Sequence, residues 1–199
     1  MSNNKSTVSG RYIILVGICS FIIAVTIILI SEYFASRLNS IILCLALLLF
    51  ITVINILADV VGTATAAASH APFNATAAKR VQGAAQGLRL VKNADRVANI
   101  CNDVIGDITT TVSGAIGISI VIQLVRINPH ADQFLLTVLL TAVISAVIVI
   151  GKAFGKKYAL SDPNRVVFIV GNFLAHLEKL TGISLVGQRA LKSRSRVIK

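Results

Sequence analysis

The sequence has no tryptophan and little charge: 14% of its 199 residues are Asp, Glu, Lys or Arg, whereas 55% are hydrophobic. A water-soluble domain of this size needs far more polar surface, so the mean hydropathy of +0.83 argues against that class. The cysteines, Cys19, Cys44 and Cys101, have no CxxC spacing, which argues against a disulfide framework or a metal cluster. We expect them to be packing residues. The composition indicates an integral membrane protein.

Sequence motifs of catalysis are missing as well. There is no HExxH, no P-loop, no Gly-rich phosphate loop and no evident nucleophile and base pair. The histidines lack the spacing of metal ligands. We therefore expect neither enzyme activity nor a bound cofactor. The net charge of +11 falls between and after the apolar runs, which is the pattern of cytoplasmic loops and not of nucleic-acid binding.

Four apolar runs are long enough to cross a bilayer, which takes about 20 helical residues. They cover residues 12–30, 38–58, 108–125 and 133–151. A fifth apolar piece, residues 166–177, is too short to span, and we expect it to lie at the interface or to pack under the bundle. No good small-residue cleavage site follows the first run, so we interpret it as an uncleaved span and not as a signal peptide.

The distribution of basic residues sets the orientation of these spans. Two of the connecting segments carry one basic residue each, Arg37 and Arg126. The connector after the second span and the chain after the fourth span are strongly basic, and so belong in the cytoplasm. These basic residues are Lys79, Arg80, Arg89, Lys92, Arg96, Lys152, Lys156, Lys157, Arg165, Lys179, Arg189, Lys192, Arg194, Arg196 and Lys199. We predict a multi-pass plasma-membrane protein with both termini in the cytoplasm.

The connector between the second and third spans is too long for a simple turn. Pro72 is expected to break the incoming helix, and Asn74 to cap a new one. Apolar residues then recur at helical spacing, which predicts a short amphipathic helix on the inner face of the membrane. These residues are Val81, Ala84, Ala85, Leu88 and Val91. The third helix is expected to start near Asp95, well before its apolar part.

Ionisable residues inside a span are costly, and each is a candidate for function. Here they are Asp59, Asp103, Asp107 and Lys152, to which the second span adds the polar Asn55 and Thr63. They form either a polar pocket or ion path in the inner half of the membrane, or else a structural salt bridge or a set of polar residues at the water interface. For Asp103 the interface is the favoured interpretation, whereas both interpretations stay open for Asp107 and Lys152.

The order of these parts resembles the transmembrane domain of the CNNM/CorC magnesium transporters. The resemblance is carried by "GTATAAAS" (62–69), "AAQGLRLVKNADR" (84–96), "VIGDI" (104–108) and "GKAFGKKYA" (151–159). In the family these places hold S-x-S-E-T-A-L, R/K-A-x-x-L-x-x-N-P-D-R, I-G-N-N and G-E-I-x-P-K-x-x-A. The CBS region typical of the family does not follow the fourth span in these 199 residues.

The resemblance implies an all-α membrane protein in three parts. Residues 1–37 form an extra N-terminal transmembrane helix, residues 38–183 the CNNM/CorC-like domain, and residues 184–199 a basic cytoplasmic tail. It also implies a homodimer. A ridge of small residues, Gly106, Thr110 and Gly114, is suited to close helix contact and lends the dimer weak support.

The family binds magnesium between its spans through Ser, Asn and Glu. By position, Thr63 takes the place of the Ser, Asp107 lies near the Asn, and Lys152 replaces the Glu. An ammonium is no magnesium ligand. Lys152 is therefore expected to stand in for the ion itself, paired with Asp107 or else with Asp59.

Two functions follow from this comparison. The first is divalent-cation transport, with magnesium as the transported ion, through Asn55, Asp59, Thr63 and Asp107. The second is a non-transporting scaffold or regulatory subunit whose ion site is replaced by the Lys152 salt bridge. The expected partners are the lipid bilayer, a second copy of the chain and a possible separate regulatory protein, with no nucleic acid.

The topology can be tested by labelling single cysteines in a background that lacks the native ones. A membrane-impermeant thiol reagent applied from outside should modify a cysteine placed at Ser36 or His130, because both positions lie in the weakly basic segments between spans. A cysteine placed at Ala84 should stay unmodified until the membrane is permeabilised. Labelling of position 84 from outside would overturn the predicted orientation.

Overall fold

The structure, a computed structural model, describes residues 10–37 and 40–182, and this part of the chain is all α-helical in class. The predicted tail, 184–199, lies outside the described residues. The helices are α1 (Gly10–Arg37), α2 (Ile41–Ala67), α3 (His70–Ala78), α4 (Ala84–Lys92), α5 (Ala94–Ala98), a π-helical segment (Asn99–Ile105), α6 (Gly106–Ile127), α7 (Gln133–Ser161) and α8 (Pro163–Thr181).

Four helical stretches are long and apolar enough to cross a membrane, as the sequence predicted. They are Ile14–Ser31, Ile41–Ala67, Ala94–Ile127 and Gln133–Ser161. Most of their large apolar side chains point outward, as in a bundle solvated by lipid. The third stretch joins α5, the π-helical segment and α6 without interruption, and its start beside Asp95 confirms the sequence prediction.

The described residues divide into two compact units, and the dividing points fall inside α2, the π-helical segment and α7. The first unit takes residues 1–56 and 104–151, and so holds α1, α6 and the first parts of α2 and α7. In it α6 packs against α1 and α2 around a core that includes Cys44, which is fully buried. The core residues are Cys44, Ile51, Ile108, Val112, Ile116 and Ile120.

The expectation that the cysteines are packing residues holds for Cys44. Its sulfur also accepts a hydrogen bond from Gln123 Nε2 at 3.2 Å. Cys101 is half-buried, whereas Cys19 is exposed on α1, so for Cys19 the expectation is wrong. An exposed thiol on a span-length apolar helix is compatible with a lipid environment, because Cys behaves as a small hydrophobic residue.

The second unit takes residues 57–103 and the described residues from 152 to 182, and its core joins the ends of α2 and α7 to α3, α4 and α8. The core residues are Ala64, Phe73, Leu90, Val91, Ala159, Val166 and Val167. The predicted apolar segment 166–177 is the middle of α8, which packs on α4. Asp162 caps α8 by accepting from Arg165 N at 3.2 Å, and Pro163 occupies the first helical position.

The connector differs from its prediction. The incoming helix ends at Ala67, and α3 begins at His70 after Ser69, so Asn74 lies inside a helix and caps nothing. Pro72 falls in the first turn of α3, where its missing N–H breaks no helical hydrogen bond. The single amphipathic helix is instead two helices, separated by a turn in which Arg80 and Gly83 take positive φ angles of 56° and 77°.

Glycine allows α4 and α8 to meet backbone to backbone. A Cβ on Gly171 would overlap the carbonyl oxygen of Gly83 and lie 2.9 Å from Gly87 N. A Cβ on Gly87 would lie 2.7 Å from the ring of Phe73, which covers it from the α3 side. Glu178 completes the contact by accepting from Gln86 Nε2 at 2.7 Å. The helices are therefore held at a distance that only glycine at these points permits.

Hydroxyl groups along the spans bond mostly to their own helix. Thr109, Thr110 and Thr111 each donate to the carbonyl four residues earlier, at 2.7, 2.8 and 2.9 Å. Thr52 and Thr65 do the same on α2. Such back-bonding satisfies the hydroxyl hydrogen without a partner from another helix.

The glycine contact predicts a clear contrast between two substitutions of the same type. Gly171→Ala should destabilise the protein by about 1 to 3 kcal/mol, because the added methyl group overpacks a backbone contact. Gly17→Ala in α1 is the control, since a Cβ there meets nothing within 4 Å and alanine is the better helix former. Thermal unfolding of the two variants in the same detergent measures the difference. Equal melting temperatures would contradict the close approach of α4 and α8.

Candidate functional site

The buried polar residues of α2 are the most unusual feature of the spans. Thr52, Asn55, Asp59 and Thr65 are each at most 5% exposed, although they lie in a stretch able to cross a membrane. The first two belong to the first unit and the last two to the second. Polar groups removed from water in a bundle must find partners within the protein, so their contacts are informative.

In the first unit, Asn55 bonds to the start of α6. Its Nδ2 donates to Thr110 Oγ1 at 2.8 Å and to the Gly106 carbonyl at 3.3 Å. Thr110 also donates to that same carbonyl. The carboxamide oxygen of Asn55 is buried and has no hydrogen-bond partner among the described residues. Asn55 was predicted to be part of a polar cluster, to which the third span adds Thr110, a residue also predicted to belong to the helix-contact ridge.

In the second unit, Asp59 is a buried carboxylate with one loose counter-charge. Its Oδ1 lies 3.7 Å from Lys156 Nζ, and the side chains are 4% and 52% exposed respectively. That distance is too long for a charge-assisted hydrogen bond, which spans about 2.7–2.9 Å. Its Oδ2 is buried with no hydrogen-bond partner among the described residues. Asp59 is thus neutralised in charge but left with free acceptor capacity.

Asn102 brings a second free oxygen to the same stretch of α2. It lies in the π-helical segment, and its side chain packs so closely on Gly62 that a Cβ there would be 2.8 Å from Asn102 Cγ. Its Oδ1 is also buried without a hydrogen-bond partner among the described residues. Gly62 follows Asp59 by one helical turn on the same face. The π-helical geometry is relevant because such segments occur often at functional sites.

The other predicted site residues are more exposed than expected. Asp107 is exposed in the first unit, and Thr63 and Lys152 are half-buried in the second. Asp103 is exposed and accepts from Asn99 Nδ2 at 2.6 Å, in keeping with the interface interpretation. A pair between Lys152 and Asp107 joins residues of two separate units and stays a prediction.

The alternative pair between Lys152 and Asp59 is corrected by the structure. The cation beside Asp59 is Lys156, and within its own unit Lys152 forms no ion pair with a described residue. The two lysines are four residues apart on α7, so the contact falls one turn later than predicted. Sequence spacing shows that they share a face, but it does not fix which turn of α7 meets Asp59. Asn102 was not predicted as a site residue, because the sequence does not show that its side chain would face α2.

These residues are suited to a hard cation more than to a transition metal. Among the described residues no group of three or more His, Cys, Asp or Glu side chains is placed to hold a metal. The free groups are oxygen atoms of one carboxylate and one carboxamide, which are ligand types of Mg²⁺ and Ca²⁺. Mg²⁺ keeps several of its waters in protein sites, so a small number of protein ligands suffices.

Comparison of the chain with known proteins gives no match: no family model, no curated protein and no solved structure resembles it significantly.

The ion pair predicts that Lys156 matters to stability and that the neighbouring Lys157 does not. Lys156→Met leaves the buried Asp59 carboxylate unpaired, which should cost about 1 to 3 kcal/mol, less than a fully buried pair because the lysine is half-exposed. Lys156→Met combined with Asp59→Asn should recover part of that loss. Lys157→Met is the matched control, because Lys157 is exposed on the same turn of α7, and it should unfold like the wild type. Thermal unfolding in detergent gives the order, and an equal loss in Lys156→Met and Lys157→Met would contradict the ion pair.

Proposed function

We propose that the protein transports a divalent cation, magnesium in the first instance, across the plasma membrane. The observation that carries the proposal is Asp59, a carboxylate 3% exposed within a stretch able to span a bilayer, with one oxygen unpartnered. An ionisable residue so placed is expensive to bury, and in membrane proteins such residues typically mark ion or proton pathways. A stretch that served only to cross the membrane would have no need of it.

The chemistry of the neighbouring groups supports a hard cation as the substrate. Asp59 Oδ2 and Asn102 Oδ1 are acceptors with no proton to donate while Asp59 is ionised, so an anion would be repelled. A partly hydrated divalent ion accepts both kinds of oxygen as ligands. The charged ligand is then Asp59, and neither Lys152 nor Asp107 is required to hold the ion.

The resemblance to the CNNM/CorC transmembrane domain supports the same substrate class. With it come the orientation with both termini in the cytoplasm and the homodimer as further parts of the proposal. In the first unit Thr110, a member of the predicted ridge, already bonds within its own chain to Asn55, whereas the space around Gly114 is open. Gly114 is therefore the ridge position best suited to contact a second copy.

A non-transporting membrane scaffold or regulatory subunit is the second candidate, and one observation favours it. Lys156 already neutralises Asp59, as a permanent internal ion pair would in a relative that has lost its ion. The two candidates differ in what Asp59 does. In a transporter Asp59 exchanges Lys156 for an ion, whereas in a scaffold Asp59 stays paired with Lys156.

Magnesium flux into proteoliposomes that contain a fluorescent indicator distinguishes the two. The wild type should carry Mg²⁺ down its gradient, and Asp59→Asn should slow the flux at least roughly tenfold, which corresponds to about 1.4 kcal/mol in the barrier. Asp103→Asn is the matched control, because it removes an exposed carboxylate and should leave the rate near the wild-type value.

Each variant must elute as a single folded species before its flux is compared. Flux that is unchanged in Asp59→Asn would remove Asp59 from the pathway. A folded wild type that carries no divalent cation would favour the scaffold.

A further inference from the structure

The geometry of the contact between Lys156 and Asp59 is that of an ion pair in which the lysine can be exchanged for another cation. A structural salt bridge in a buried setting needs close hydrogen bonds to offset the loss of water from both charges. Here the separation is 3.7 Å, and the ammonium belongs to a side chain that is 52% exposed. The lysine can therefore leave Asp59 and return to water by rotation of its flexible stem, with little desolvation to undo.

Two buried oxygens of the same unit indicate what would take the place of Lys156. Asp59 Oδ2 and Asn102 Oδ1 are both buried acceptors without partners among the described residues. Asn102 packs on Gly62, which lies three residues, or about 4.5 Å along the helix axis, from Asp59. Both oxygens need positive charge or a donated proton, and Lys156 reaches neither of them with a hydrogen bond.

We propose that Lys156 is a tethered cation that a divalent ion displaces from Asp59. This inference rests on the proposed transport function for the identity of the ion. Without the ion, the ammonium neutralises Asp59 and keeps the carboxylate from standing alone in the protein interior. When Mg²⁺ arrives with part of its water shell, Asp59 and Asn102 contribute oxygen ligands and Lys156 moves out to solvent.

The charge balance explains why such an exchange is reversible. The pair of Asp59 and Lys156 has a net charge of zero, whereas Asp59 with a divalent ion has a net charge of plus one. The returning ammonium and the bound ion repel each other, so Lys156 competes for the carboxylate and promotes release. A site that must let its ion go benefits from such a competitor, because an ion held too tightly is not transported.

Amine labelling of the wild-type protein tests the displacement directly and needs no variant. A water-soluble acylating reagent should modify Lys156 at least roughly threefold faster with saturating Mg²⁺, because the amine released from Asp59 moves out to solvent, where the reagent reaches it. Lys157 is exposed on the same turn of α7 and serves as the internal reference. Peptide mass spectrometry reads both sites in one sample. Choline chloride at equal ionic strength controls for screening of charges.

A rate at Lys156 that rises with Mg²⁺ but not with choline, relative to Lys157, supports the proposal. A rate that is unchanged or falls overturns it. A rise with Na⁺ and none with Mg²⁺ supports the displacement and contradicts the divalent substrate. Flux without any change in labelling leaves transport standing and removes the lysine from its mechanism, so the two proposals fail separately.

A second measurement uses the Mg²⁺ dependence of thermal stability in detergent. Lys156→Met removes the competitor, so the Mg²⁺ concentration for half-maximal stabilisation should fall about tenfold, a factor that corresponds to about 1.4 kcal/mol of binding free energy. Lys157→Met should keep the wild-type value, and Asp59→Asn should show no Mg²⁺-dependent stabilisation. An unchanged or higher half-maximal concentration in Lys156→Met would refute competition between the ammonium and the ion.

Discussion

The packing of the second unit depends on the burial of one carboxylate, that of Asp59. Asp59 lies on a helix whose neighbouring outward side chains are apolar, so its charge must be balanced by the protein or by an ion. The end of α7 supplies Lys156, and the π-helical segment brings Asn102 alongside. Each of these elements contacts α2 at one position. The Asn102 side chain packs on Gly62, where any Cβ would clash with it.

Glycine plays the same part in the contact between α4 and α8. Because Gly83, Gly87 and Gly171 lack side chains, two short helices approach closely enough for backbone contact. With nine residues, α4 would not be stable alone, since isolated helices of fewer than about 12 residues are marginal in water. The core around Phe73, Leu90 and Val167 then supplies the apolar burial that holds them. The packing thus depends on a few residue types at fixed points and not on helix propensity.

The sequence predicted the helical class and the four spans well, because runs of about 20 apolar residues have few other interpretations. It also predicted the early start of the third helix near Asp95. It did worse where the outcome depends on register between helices. Asp59 was recognised as a candidate from its place in an apolar run, but the lysine offered as its alternative partner was Lys152, one turn before Lys156. Asn74 was assigned as a cap from residue type, although Ser69 precedes the helix and Asn74 lies within it. Nothing in the pattern of residues 99–105 indicated a π-helical turn.

The hydroxyl groups that bond within their own helix change how α6 should enter a bilayer. Scales of insertion count each threonine by its residue type, so the run from Thr109 to Thr111 lowers the hydropathy of the stretch Ala94–Ile127, which is the least apolar of the four. Each of these hydroxyls, however, already donates its hydrogen to the backbone carbonyl four residues earlier in the chain, at 2.7–2.9 Å. The cost of desolvating that donor is therefore largely met by the helix itself. For the machinery that inserts the chain, α6 is a more hydrophobic segment than its composition suggests.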